Sequence, residues 1–133
     1  MKVSKKSQYG LRGLFRLAKA KGNTPMKVVA KKEGISPDYL EKIFTELEKE
    51  GFIKSKRGPK GGYSLALKPK EISLRNILEA LESDFNLVEC VEESCERLAD
   101  CPVAPVWKRL DQEVKKKLDL ITIQTIMDKN KNE

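Results

Sequence analysis

Apolar residues along the first fifty positions recur at helical intervals. Between residues 4 and 20, Leu11, Leu14, Phe15 and Ala18 fall at i, i+3, i+4 and i+7, the spacing of one helical face. Ser4 can cap the start, and Lys19, Lys21 and Gly22 supply a stop. After the turn at Asn23, Thr24 and Pro25, a short helix over residues 26–33 turns Met26, Val29 and Ala30 inward. Gly34 ends it, and Ile35 is buried in the turn that follows. Ser36 as N-cap, Pro37 at the first helical position and an acidic Asp38 open a third helix, which runs to about Glu50 before Gly51 stops it. Its apolar stripe is Leu40, Ile43, Phe44 and Leu47.

Periodicity then changes from helical to extended. Residues 52–55 and 63–67 read as two short strands around Lys56, Arg57, Gly58, Pro59, Lys60, Gly61 and Gly62, a basic turn rich in glycine. No GK[ST] follows and no helix begins there, so this is not a phosphate-binding P-loop. Two short helices joined through a glycine turn form a helix-turn-helix pattern at about residues 26–49. With the hairpin at about 52–67 directly after it, the pattern becomes a winged helix-turn-helix. Pro69 closes the wing, and Ser73 caps a helix bearing Leu74, Ile77, Leu78 and Leu81, which should pack back onto the first helix.

Residues 84–102 lose the helical period. From Val103 onward it returns as a narrow seam of Val106 or Trp107, Leu110, Val114, Leu118 and Ile121, at alternating intervals of three and four with Lys, Arg, Glu and Asp on the other faces. Such a helix is better covered by a second copy of itself, which makes Trp107, Leu110, Val114, Leu118 and Ile121 the expected dimer interface. The expected class is therefore mostly α: a winged helix-turn-helix over 1–82, a cysteine-containing loop over 83–102, and a long dimerisation helix with a frayed polar tail over 103–133.

Charge adds a partner to this outline. The 133 residues carry a net +7, but residues 1–70 hold 18 Lys and Arg against 6 Asp and Glu, whereas residues 71–133 hold 9 against 14. A +12 half joined to a −5 half points to a polyanion at one end. On the third helix Asp38, Glu41, Lys42 and Thr45 lie opposite the apolar stripe, with Ser36, Pro37 and Tyr39 at its start. In helix-turn-helix docking these residues meet base edges in the major groove of double-stranded DNA, where Lys42 can donate to guanine and Glu41 or Asp38 can accept from cytosine. Arg57, Gly58 and Lys60 on the slender turn can reach a narrow minor groove. Lys5, Lys6, Arg12, Lys27, Lys54 and Lys56 would contact phosphates, which position a protein without specifying sequence. A solvated lysine-rich surface is the plainer reading of any one of them.

The chain has no histidine, which excludes Cys–His zinc sites and nucleophiles activated by His. Neither a signal peptide nor an apolar run long enough for a membrane span is present, so a soluble protein of a reducing cytoplasm is expected. Three cysteines, Cys90, Cys95 and Cys101, lie within CVEESCERLADC among acidic neighbours rather than apolar ones. In one continuous helix Cys90 and Cys101 would stand about 16 Å apart along the axis, so the thiols can meet only in a loop. Soft thiolates suit an iron–sulfur cluster or zinc. Tight CxxC pairs and a fourth ligand are lacking, which favours a cluster with one exchangeable corner over structural zinc. A thiol redox switch without metal is the further alternative.

Taken together, ISPDYLEKIF, RGPKGGY, the three cysteines and a terminal helix with LDLITI resemble the Rrf-two family of winged-helix transcriptional regulators over nearly the whole chain. The resemblance implies a homodimer on a palindromic operator, with Cys90, Cys95 and Cys101 holding a cluster, 2Fe–2S in preference to 4Fe–4S, whose state selects the promoters bound. It also implies that Tyr39, Glu41 and Lys42 face the major groove and Arg57 the minor groove. Other family members lack a cluster and regulate cysteine metabolism through a partner protein, which is the alternative function. The gaps between the cysteines are four and five residues here rather than the family's five and five. Where some relatives place a ligating histidine this chain has Ala104, and where others use an aspartate near the partner's N-terminus it has Gln8. Gln8, Glu89, Asp100, water or a small molecule are the candidates left for the fourth corner.

Overall fold

In a computed structural model of the chain, residues 2–88 and 100–131 are described. Three helices come first along the chain: α1 (Lys5–Ala20), α2 (Met26–Glu33) and α3 (Pro37–Lys49). A two-stranded antiparallel wing follows, β1 (Ile53–Lys56) and β2 (Gly62–Leu65), in the register Ile53 to Leu65 and Lys56 to Gly62. A single 3-10 turn, Pro69–Glu71, leads into α4 (Leu74–Leu81), and the chain ends in α5 (Ala104–Leu120) and α6 (Ile123–Lys129).

The stripe read for α3 is the centre of the core. Leu40, Ile43, Phe44 and Leu47 are all fully buried, packed against Leu14 and Leu17 of α1, Val29 and Ala30 of α2, and Ile77 and Leu81 of α4. Ser4 caps α1 and Ser73 caps α4, each accepting from the backbone N–H three residues on. Gly34 closes α2 in the left-handed region, and Ile35 is buried behind it. Ser36 stands at the N-cap of α3 but its hydroxyl makes no capping bond, because Pro37 fixes the first turn without it.

Two elements differ from the sequence expectation. The buried face of α1 is Ser7, Gly10, Gly13, Leu14, Leu17 and Ala18, with Leu11 and Phe15 only half-buried at its edge. A Cβ at Gly13 would stand 2.7 Å from the Phe44 ring, so the glycine lets α3 approach where a larger residue would hold it off. The terminal helix is also not continuous. It breaks at Ile121, whose carbonyl accepts from Leu74 N–H at 2.7 Å, and Ile123 N–H donates to Ile72 at 3.0 Å. Thr122 then caps α6 with a reciprocal hydroxyl from Thr125, and α6 returns to the winged-helix core with Ile123 fully buried.

Candidate nucleic-acid interface and cysteine segment

The residues read as base-facing share one exposed surface. Ser36, Pro37, Asp38, Tyr39, Glu41, Lys42 and Thr45 are all exposed on the side of α3 away from its buried stripe. Tyr39 is held edge-on against Tyr9 of α1, ring centroids 5.8 Å apart, which fixes the start of α3 relative to α1. The Thr45 hydroxyl donates to the Glu41 carbonyl at 2.8 Å, leaving Glu41 and Lys42 as the free polar groups in the middle of the face.

The wing is aimed by a bond the sequence does not announce. Tyr63 of β2 exchanges two backbone hydrogen bonds with Thr24, both 2.8 Å, so the segment before α2 pairs with the outer strand. A Cβ at Gly62 would meet the Thr24 carbonyl at 2.5 Å, and its φ of +153° lies where side chains are strained, so only glycine permits this pairing. Tyr63 also packs edge-on against Phe44, centroids 5.0 Å apart, tying the wing to the recognition helix through the core. Arg57, Gly58 and Lys60 stand exposed at the tip.

The phosphate candidates divide. Lys5, Lys27, Lys54 and Lys56 are exposed and have no carboxylate partner among the described residues. Lys6 is half-buried, its ammonium 2.6 Å from a Glu46 oxygen. Arg12 joins Arg16 on the buried carboxylate of Glu33, at 2.7 Å, and lies over the Tyr9 ring. Burial would raise the Glu33 pKa, but the hydrogen bonds and charges of Arg16 and Arg12 outweigh it and hold the carboxyl below its ordinary range. These two basic residues brace α1 against α3 and α2, a use of charge that single-residue reading cannot separate from phosphate binding.

Of the three cysteines, Cys90 and Cys95 lie outside the described residues, as does Glu89. Cys101 is a free, half-buried thiol just before α5. Neither described candidate for a fourth ligand is drawn inward: Asp100 is exposed, and Gln8 is exposed with its amide donating to the Val3 carbonyl at 3.1 Å. Ala104 is buried in the first turn of α5.

Sequence reading missed the residue that anchors this segment. Asp111 of α5 is 2 % exposed, accepts from Leu87 N–H at 2.8 Å and pairs with Lys115 at 2.9 Å. Lys115 in turn donates to Asn86 and lies over the Phe85 ring. The i, i+4 acid–base spacing was visible, but its burial under residues 85–87 was not.

The expected dimer residues also divide. Trp107 and Leu110 are exposed together with Val103 and Val106, a contiguous apolar face. Val114, Leu118 and Ile121 are half-buried within the chain itself.

A three-helix core, a recognition helix with a free polar face and a basic wing define a winged helix-turn-helix DNA-binding protein. A family model described as Rrf2, iron-dependent transcriptional regulator, matches residues 3–129. The protein rrf2 of Nitratidesulfovibrio vulgaris is 36 % identical over 96 % of this chain and 87 % of its own. The solved structure of CymR, the global cysteine regulator of B. subtilis, is similar at a TM-score of 0.79 and 32 % identity over 98 % of both chains. That of T. potens IscR gives 0.77 and 29 % over 99 % of this chain and 90 % of its own. The chain belongs to the Rrf2 family of transcriptional regulators. It is a DNA-binding regulator rather than an enzyme, and no described helix is long and apolar enough to cross a membrane.

Proposed function

We propose that this chain is a cytoplasmic homodimer on a palindromic operator, whose affinity for DNA is set by an iron–sulfur cluster on Cys90, Cys95 and Cys101. The observation that carries the reading is the donor set: three cysteines within twelve residues of a chain without histidine, the first of them three residues after Leu87, which Asp111 ties to α5. Three soft donors suit iron, and the iron-dependent description of the family model supports the same metal. When bound, the cluster supplies a site that redox stress, nitric oxide or iron shortage can alter. The chain's own part is to convert order in residues 84–102 into placement of the two recognition helices. Half-site spacing is a geometric requirement, so a small shift changes affinity.

Anaerobic purification followed by iron and acid-labile sulfide assay is expected to give a coloured protein with both elements present. A colourless, iron-free chain would leave the second reading, a cluster-free cysteine-metabolism regulator acting through a thiol switch or a partner protein, which the likeness to CymR favours.

The DNA face makes its own prediction. Arg57→Ala is expected to weaken binding to the duplex upstream of the chain's own gene roughly tenfold. Lys5→Ala should instead lower affinity for all sequences alike and reduce the salt slope by about one. Titrations over a range of salt concentrations read both, and unchanged curves for both variants would refute the assignment of wing and α1.

A further inference from the structure

Glu82 has no role in the reading above, yet it occupies an unusual position. It caps the end of α4, where the helix dipole disfavours a carboxylate, but its carboxylate lies against the N-terminus of α1, where the dipole favours one. One oxygen accepts from the Ser4 N–H at 2.8 Å, and the other accepts from the Ser4 hydroxyl at 2.6 Å and the Ser7 hydroxyl at 2.9 Å. Ser7 is 1 % exposed, so without Glu82 its hydroxyl would lose a partner in a dry site. The bonded residues are 75 and 78 positions apart in sequence.

Glu82 faces two functional regions. An open groove of about 600 Å³ beside it is walled by Lys5 and Lys6 of α1, by Tyr39 in the first turn of α3, and by Glu82, Ser83 and Asp84. In the other direction, Leu87 is bonded to Asp111 of α5, and Cys90 follows three residues later. Residues 82–87 are thus strung between two carboxylate fixings, one on the DNA-facing end of α1 and one on α5.

We propose that Glu82 is a positioning residue that couples the cysteine segment to DNA, by tying the chain just ahead of that segment to the DNA-contacting start of α1. The inference rests on the DNA-binding face described above. Burial would raise the Glu82 pKa, but the hydrogen bonds from Ser4 and Ser7 and the charge of Lys6 outweigh it, so the carboxylate stays ionised and its bonds charge-assisted. Coupling of this kind is reciprocal: if order in residues 83–88 affects DNA affinity, bound DNA must affect order in residues 83–88.

Hydrogen–deuterium exchange of the full chain, with and without mixed-sequence duplex DNA at low salt, reads the link directly. In the wild type, DNA is expected to slow exchange across residues 83–88 by about fivefold or more. In Glu82→Ala this remote protection should vanish while the variant still binds DNA, and Ser4→Ala combined with Ser7→Ala should reproduce the loss. Should Glu82→Ala fail to fold, Glu82→Gln keeps the shape while replacing one acceptor oxygen by a donor, and should lose most of the protection. Protection that survives these substitutions would show Glu82 to be a helix cap alone and overturn the inference, as would wild-type exchange indifferent to bound DNA. A wild-type chain that binds no duplex would overturn the DNA-binding face as well.

Discussion

Phe44→Ala is expected to lower the unfolding free energy by about 3–5 kcal/mol, a large share of the roughly 5–15 kcal/mol that holds a domain of this size together. The ring is fully buried and stands where three elements meet. Its edge lies so close to α1 that a Cβ at Gly13 would come within 2.7 Å, and Tyr63 of the wing packs against it at 5.0 Å. Gly13 offers no side chain to fill the space from the α1 side, so a cavity term adds to the lost transfer energy. The melting temperature should fall on the order of 10–20 °C. Because Tyr63 loses its support, the wing should loosen at temperatures where the helices are still formed. Thermal denaturation followed by far-ultraviolet circular dichroism checks the first effect, and a shift of only a degree or two would refute the assignment of Phe44 as the joint.

That joint shows what could be read from the chain. The α3 stripe was legible because four large apolar residues at helical spacing have one efficient way to leave water, and all four are fully buried. The wing was legible because glycine and proline mark a turn wherever they cluster. On α1 the same reasoning chose Leu11 and Phe15, since counting apolar residues gives no weight to glycine. Yet Gly10 and Gly13 define the buried face by what they allow to approach. The break at Ile121 was hidden because residues 121–127 continue an apolar pattern. The only local signal was Thr122 followed three residues later by Thr125, a cap that forms only once residues 72–74 are there to receive the chain.

The candidate site was legible in kind and less so in detail. A basic excess of 12 over residues 1–70 indicated a polyanion partner, and the exposed face of α3 carries the residues assigned to it. Charge counts do not distinguish Lys5, which has no carboxylate partner among the described residues, from Lys6 and Arg12, which are paired with Glu46 and Glu33. Those pairings span 40 and 21 positions, and only the fold brings them together. Glu82 and Asp111 escaped notice for the same reason: each takes its role from a backbone N–H or hydroxyl far away in sequence.

Leu110→Glu combined with Trp107→Glu is expected to convert the proposed dimer to a monomer and to lower affinity for a palindromic site by about two orders of magnitude or more. The second figure follows from avidity, since two linked half-sites bind far more tightly than either alone. Trp107 and Leu110 are 38 % and 44 % exposed, and with Val103 and Val106 they form an apolar face at the start of α5 that the described residues cover only in part. A charge placed there costs the isolated chain little, because neither side chain is in its core, so the melting profile of the monomer should retain its cooperativity. Buried against a second copy, the same charges would have no partner and would be costly to desolvate. Val114 and Leu118, half-buried within the chain, supply the contrast: their substitution should affect folding as well as association. Sedimentation equilibrium of the wild type and the double variant, alongside DNA titration, separates the two effects. A wild type that is already monomeric, or a double variant that remains dimeric, would remove α5 from the interface and with it the route by which residues 84–102 could set the spacing of the two recognition helices.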